Sequence, residues 1–98
     1  MEIIRTEENG AVVMKIVGRM DTVTAPQVEA AFQKEENLKK IIFDLSELVY
    51  ISSAGLRVLL AAQKKMNASG GEMLVRGSQE AVRDVFEVTG FSDILTLV

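Results

Sequence analysis

Short apolar runs alternate with longer amphipathic segments along the chain, and the runs predict strands bounded by Gly and Asn turns. The predicted strands cover residues 3–7, 11–17, 40–45 and 72–76, with a short closing turn and strand within residues 91–98. Asn9-Gly10 joins the first two strands and is a strong signal for a two-residue hairpin. The second strand is apolar almost throughout, which is typical of a strand covered on both faces, and Gly18 is predicted to end it.

Three segments with apolar residues at helical spacing predict helices. The first begins at Thr24 as N-cap, with Pro26 in its first turn and Gln27 at the capping-box position, and residues 33–37 close it. The second covers about residues 53–67, after a connecting loop over residues 46–51. The third is capped by Ser78 and stops at Gly90.

Strands that alternate with helices predict an α/β fold with a mixed, mostly parallel sheet covered by helices. The order is β-β-α-β-α-β-α-β, with four to five strands and one antiparallel hairpin at the start. A length of 98 residues corresponds to a single domain over residues 1–98. The pattern does not determine the order of the strands in space.

The composition argues against catalysis. The chain has no Cys and no His, so it lacks a thiol nucleophile, the commonest general base and the commonest metal ligand. We therefore expect no enzyme activity and no cofactor or metal. The net charge of −3 favours no direct nucleic-acid binding. No apolar run approaches the roughly 20 residues that span a bilayer, and the start does not resemble a signal peptide, so no membrane association and a cytoplasmic location are expected.

The segment with chemical information is the start of the second predicted helix. Ser52 and Ser53 precede it, and one of them should be its N-cap. Gly55 in the first turn is best explained by a group that approaches the backbone closely. The helix has no acidic residue from Ser52 to Gly71, so its positive amino end favours an anion, and Arg57 lies one turn beyond Ser53. The alternative is a simple helix cap without further function.

This segment carries a resemblance to a known family. Asp44-Leu45-Ser46, followed by the run from Tyr50 to Leu56, resembles the signature of STAS-domain anti-sigma factor antagonists of bacteria, roughly D-L-S and then D-S-[STA]-G-L. The run from Gly18 to Asp21 is similar to the family's turn after the second strand. Phe91 and Ile94 stand where the family has its final apolar pair.

The resemblance implies a phosphoprotein that regulates transcription by partner switching. Such a protein binds a serine-kinase anti-sigma factor and frees the sigma factor, the kinase phosphorylates a serine of the motif, and a serine phosphatase resets the cycle. The resemblance places Ser53 at the phosphoacceptor position and Asp21 near it. The implied partner-binding residues are Asp21, Ser52, Ser53, Ala54, Gly55, Leu56 and Arg57.

One position departs from the family pattern and leaves alternatives open. Ser52 stands where the motif has an aspartate, which removes a negative charge and adds Ser52 as an alternative acceptor. Leu56, Leu59 and Leu60 are expected in the core, and Val58, Ala61 and Ala62 either in the core or on a partner surface. Tyr50 is expected to pack in its loop, with contact to the partner as the alternative. The alternative function is a stand-alone STAS accessory subunit of a lipid-transport ATPase or another complex without a phosphoswitch. We expect a monomer.

Overall fold

The computed structural model describes all 98 residues and contains five strands and three helices. In chain order these are β1 (Glu2–Glu8), β2 (Ala11–Met20), α1 (Ala25–Gln33), β3 (Lys40–Asp44), β4 (Leu48–Ile51), α2 (Ser53–Ser69), β5 (Glu72–Arg76) and α3 (Glu80–Thr89). A single 3-10 turn, Phe91–Asp93, follows α3. The predicted α/β class and the three helices are confirmed.

The sheet is mixed and mostly parallel, as predicted. Its strand order is β1-β2-β3-β5, with β1 antiparallel to β2 and the other neighbours parallel. Asn9 and Gly10 both have positive φ in the hairpin turn, which is the conformation that an Asn-Gly pair favours. At the other edge, Leu97 forms a parallel bridge to Val75 of β5.

All three helices pack on one face of the sheet. The main core joins strand residues of one parity, such as Met14 and Phe43, to residues of each helix, such as Val28, Leu59 and Phe86. Residues 11–14 of β2 are buried on both faces, as predicted, but helices cover only one of these faces. The opposite face carries a small apolar strip of Ala11, Val13, Ile42 and Leu74 without any helix residue. Ion pairs of Arg76 with Glu8 and Asp44, and of Lys40 with Glu72, flank this strip and replace a second helical layer.

The prediction of a loop over residues 46–51 is wrong, because this segment contains β4. The sequence predicts that Gly18 ends β2, but the φ of 104° at Gly18 lets the strand continue to Met20 with a shift of register. This extension of β2 pairs in parallel with β4, beyond the residues that pair with β3. In β4 only Leu48 and Ile51 are buried, and the two residues between them are exposed. The strand therefore lacks the alternation of buried and exposed residues by which a sequence predicts a strand.

The helices begin and end near the predicted residues, but the predicted capping interactions at their N-termini differ from the observed ones. Thr24 is the N-cap of α1, but its side-chain oxygen makes no capping bond and accepts from the Asp21 N–H at 2.8 Å instead. The cap of α3 is Gln79, so the prediction of Ser78 as cap is wrong; Ser78 is buried. Gly90 ends α3 in the left-handed conformation, as predicted, and Gly70 ends α2 in the same way.

Candidate functional site

Two parallel strands bring the predicted site residues together. Met20 at the end of β2 pairs with Ile51 at the end of β4, and the Ser52 N–H donates to the Met20 carbonyl oxygen at 2.8 Å. Asp21 follows the first of these strands directly and Ser52 follows the second. The loop that begins at Asp21 therefore lies beside the start of α2, at the same end of the sheet.

Ser52 and Ser53 have different structural roles. Ser52 is the N-cap of α2, with an extended backbone and a side-chain oxygen that accepts from the Gly55 N–H at 3.3 Å. The Leu56 N–H donates to the Ser52 carbonyl oxygen at 2.9 Å and closes the first turn. Ser53 is the first residue of the helix, is exposed, and its hydroxyl has no hydrogen-bond partner within the chain. The open question of which serine caps is thus answered in favour of Ser52.

Gly55 is required by the packing of α2 against the two strands. A Cβ at this position would lie 2.7 Å from Cγ1 of Ile51 and 3.0 Å from Sδ of Met20. The expected close approach to the Gly55 backbone is therefore confirmed, and the approaching groups are side chains of the protein's own core. Gly55 and Leu56 are both buried, so they shape the start of α2 from within and offer no side chain to a partner.

Asp21 holds the neighbouring loop in place. Its Oδ1 accepts from the amides of Thr24 and Val23, both at 3.0 Å, and from the Thr24 hydroxyl at 3.1 Å. The two amide bonds, Thr24 first, hold the pKa of the Asp21 carboxyl below its usual range, against the opposing effect of burial. Asp21 is therefore a charged group at neutral pH, and its main contacts organise the loop.

The start of α2 is electrostatically uncompensated. Its first turn contains no acidic residue, and its first peptide N–H groups give it a partial positive charge. Ala54 is half-buried, and Arg57 is exposed without an ion pair. Arg57 lies four residues after Ser53, so both project from the same side of the helix. A negative charge placed on Ser53 would be stabilised by the helix end and by Arg57.

The sequence reasoning missed an aromatic contact beside this site. The Arg19 guanidinium lies over the Tyr50 ring, 4.2 Å from its centroid, and the two residues are partners in the β2–β4 pairing. Tyr50 is 41% exposed, so the prediction that it packs in a loop is wrong. The sequence does not predict this contact, because it depends on the pairing of β2 with β4.

The apolar face of α2 is divided between the core and the solvent. Leu59, Val58 and Ala62 belong to the buried core, together with Leu56. Leu60 is only half-buried, so its assignment to the core is wrong in part, and Ala61 is exposed.

Two kinds of feature are absent from the structure. It holds no group of three or more acidic, His or Cys side chains arranged to bind a metal ion. None of its helices combines the length and the apolar character needed to cross a bilayer.

Comparison with known proteins gives a consistent picture. A family model described as the STAS domain matches residues 2–98. The anti-sigma-B factor antagonist of Listeria monocytogenes is 32% identical over 84 residues, which cover 84% of this chain and 74% of that protein. BtrV of Bordetella bronchiseptica, provisionally named an anti-sigma factor antagonist, is 34% identical over 96 residues, covering 96% of this chain and 83% of that protein.

The fold is that of SpoIIAA. The structure of the anti-sigma factor antagonist SpoIIAA in its unphosphorylated form superposes with a TM-score of 0.82 at 20% identity, covering 99% of this chain and 88% of that one. The phosphorylated form of SpoIIAA from Bacillus gives a TM-score of 0.77 at 18% identity, covering 99% and 91%. The predicted single STAS-like architecture, with its three helices and mixed sheet, is confirmed.

Proposed function

Since this chain belongs to the STAS domain family and is related to its anti-sigma factor antagonists, we propose that it binds a serine-kinase anti-sigma factor and releases a sigma factor. Phosphorylation of Ser53 switches this binding off, and a serine phosphatase restores it. These relatives are regulatory proteins, and we assign this chain the same kind of role in the cytoplasm, where sigma factors act.

The observation that carries the proposal is the free Ser53 hydroxyl at the start of α2. It is exposed, has no internal partner and lies on a helix end without acidic residues. The kinase would transfer the γ-phosphoryl group of ATP to the Ser53 oxygen, with release of ADP and of the hydroxyl proton. The phosphatase would cleave the same O–P bond with water. Ser53 is favoured over Ser52 because the Ser52 oxygen already caps the helix.

The energetics account for a switch without a change of fold. A phosphoryl group adds about −1.5 to −2 charges at pH 7. The helix end stabilises this charge in the free protein. A partner that covers the site must remove water from it, and an unpaired buried charge costs about 3–5 kcal/mol. A penalty of about 3–4 kcal/mol weakens binding by two to three orders of magnitude.

The test starts from the kinase that co-purifies with the unphosphorylated chain and is then purified itself. Incubation with ATP should add one phosphate to the wild type and to Ser52→Ala but none to Ser53→Ala, as read by mass spectrometry with fragmentation. A phosphate located on Ser52 or elsewhere would contradict the site assignment.

A charge variant tests the switch itself. Ser53→Asp should lose the kinase in a binding assay, whereas Asn67→Asp should keep it. The control adds the same charge to the same helix, about 21 Å away along its axis at 1.5 Å per residue, at an exposed position. Equal binding by Ser53→Asp and wild type would refute the switch. Co-purification with components of a lipid-transport ATPase, unaffected by Ser53→Asp, would support the alternative function instead.

A further inference from the structure

The open face of the sheet, which the helices leave uncovered, contains buried apolar side chains. Val13 of β2 and Ile42 of β3 are partners in the register and lie on the two central strands of the order β1-β2-β3-β5. They are only 3% and 7% exposed, although no helix residue belongs to their cluster. Side chains of the sheet itself must therefore cover them.

An ion pair between the first and last strands of this order crosses the open face. Glu8 ends β1 and Arg76 ends β5, and both β2 and β3 lie between these strands. The Arg76 guanidinium nevertheless donates to both carboxylate oxygens of Glu8, at 3.2 and 3.3 Å. It also donates to Oδ2 of Asp44, its neighbour on β3, at 3.3 Å. The Arg76 side chain therefore extends over the open face from β5 toward β1.

The strand register places this ion pair over Val13 and Ile42. Side chains of one face recur at every second residue of a strand and form rows across the sheet. Glu8 lies one row before Val13, because it pairs with the residue two positions earlier on β2. Arg76 lies one row after Ile42, because it pairs with the residue two positions later on β3. A line from Glu8 to Arg76 therefore crosses the row of Val13 and Ile42 midway, between β2 and β3.

Exposure along that row follows the position of the ion pair. Thr6 on β1 and Leu74 on β5 occupy the two ends of the row, away from the line between the charges. Thr6 is exposed and Leu74 is half-buried, whereas Val13 and Ile42 are buried. Burial in this row is thus deepest beneath the ion pair.

We infer that the Arg76 side chain is a lid on the open face, held closed by the carboxylates of Glu8 and Asp44. Its carbon stem covers the apolar row while its charged end stays in contact with water. The Arg76 and Glu8 side chains are 36% and 50% exposed, so salt screens their attraction. The lid therefore opens more often as the ionic strength rises, and it uncovers the apolar row without breaking any strand pairing. It lies on the side of the sheet away from α2 and from the proposed phosphorylation site.

The absence of Cys from the chain allows a direct test of the lid. Val13→Cys places a single thiol beneath Arg76, and the rate of its reaction with uncharged iodoacetamide measures access. Addition of Arg76→Ala should raise this rate about tenfold, because access no longer waits for the lid to open. Loss of a nearby cation makes the thiolate less abundant, so a faster reaction reports access and not reactivity. A rise from about 50 to about 500 mM sodium chloride should accelerate labelling several-fold with Arg76 in place, but not with Arg76→Ala.

Two controls separate the lid from general effects. Lys40→Ala removes another cation of the open face, which pairs with Glu72 at the other end of β3, and should change labelling of Val13→Cys by less than about twofold. Met14→Cys, one residue along β2, reports unfolding, because the side chain at this position is 1% exposed and belongs to the helix-covered core. An unchanged rate for Val13→Cys on addition of Arg76→Ala overturns the lid. Equal acceleration at Met14→Cys overturns it too, because the thiol would then react through unfolding of the domain.

Discussion

Replacement of Ser52 by Ala separates the two serines at the start of α2 by their effects on stability. Ser52→Ala removes the oxygen that accepts from the Gly55 N–H. Loss of an N-cap costs about 0.5–2 kcal/mol, and the long distance of 3.3 Å places this bond toward the middle or lower part of that range, at about 1 kcal/mol. Ser53→Ala removes a hydroxyl without a partner, so its effect should stay within about 0.5 kcal/mol.

The assay is denaturant unfolding followed by circular dichroism. Both variants should keep the wild-type m-value, because the amount of surface exposed on unfolding does not change. A loss of about 1 kcal/mol lowers the Tm of a domain of this size by about 4–8 °C, which is easily measured. Ser52→Asp is the matched rescue, since a carboxylate can cap and also adds about 0.3–1 kcal/mol at a helix start. A loss of stability in Ser53→Ala as large as that in Ser52→Ala would contradict the assignment of Ser52 as the N-cap. It would also contradict the absence of a hydrogen-bond partner for the Ser53 hydroxyl.

Three further predictions follow from packing and from titration. Gly55→Val should lower the free energy of unfolding by about 1–3 kcal/mol because its side chain collides with Ile51, whereas Ala68→Val on the exposed side of α2 should cost only a few tenths. Leu59→Ala, at a fully buried position, should cost about 2–5 kcal/mol in the same unfolding assay. The lowered pKa of Asp21 means that its stabilising effect is complete above the unfolded pKa of about 3.9 and is lost as the pH falls through the folded value. Acid titration should therefore show a larger gap in stability between wild type and Asp21→Asn at pH 6 than at pH 2 (about two units below that unfolded pKa), and a constant gap would contradict this.

Most elements could be predicted from the sequence because each carries its own local signal. The bounds of Glu72–Arg76 agree with the prediction, and Gly90 ends α3 as expected. The errors arose where a distant contact decides the local structure. β4 exists because β2 continues past Gly18 to pair with it, and no pattern within four residues reveals such a partner. Ser78 has a favourable residue type for a cap, but the chain enters α3 one residue later.

The candidate site divides in the same way. The motif predicts Ser53 at the start of α2 and Asp21 near it. The structure explains this, because β2 and β4 pair side by side and end at Met20 and Ile51. Gly55 is required because the side chains of Ile51 and Met20 pack against it, and Met20 lies 35 residues earlier in the chain. The stacking of Arg19 on Tyr50 depends on the same strand pairing. Contacts between segments far apart in sequence are set by the topology, which the alternation of apolar residues does not contain.

The first strand has a consequence for how this protein behaves at high concentration. β1 pairs only with β2, so its outer edge presents unpaired amide and carbonyl groups. Four of its seven residues are charged, and another molecule that added a strand there would bring these charges together. The edge therefore discourages fibre-like stacking of many copies. The charges along this border therefore oppose self-association of the chain through added strands.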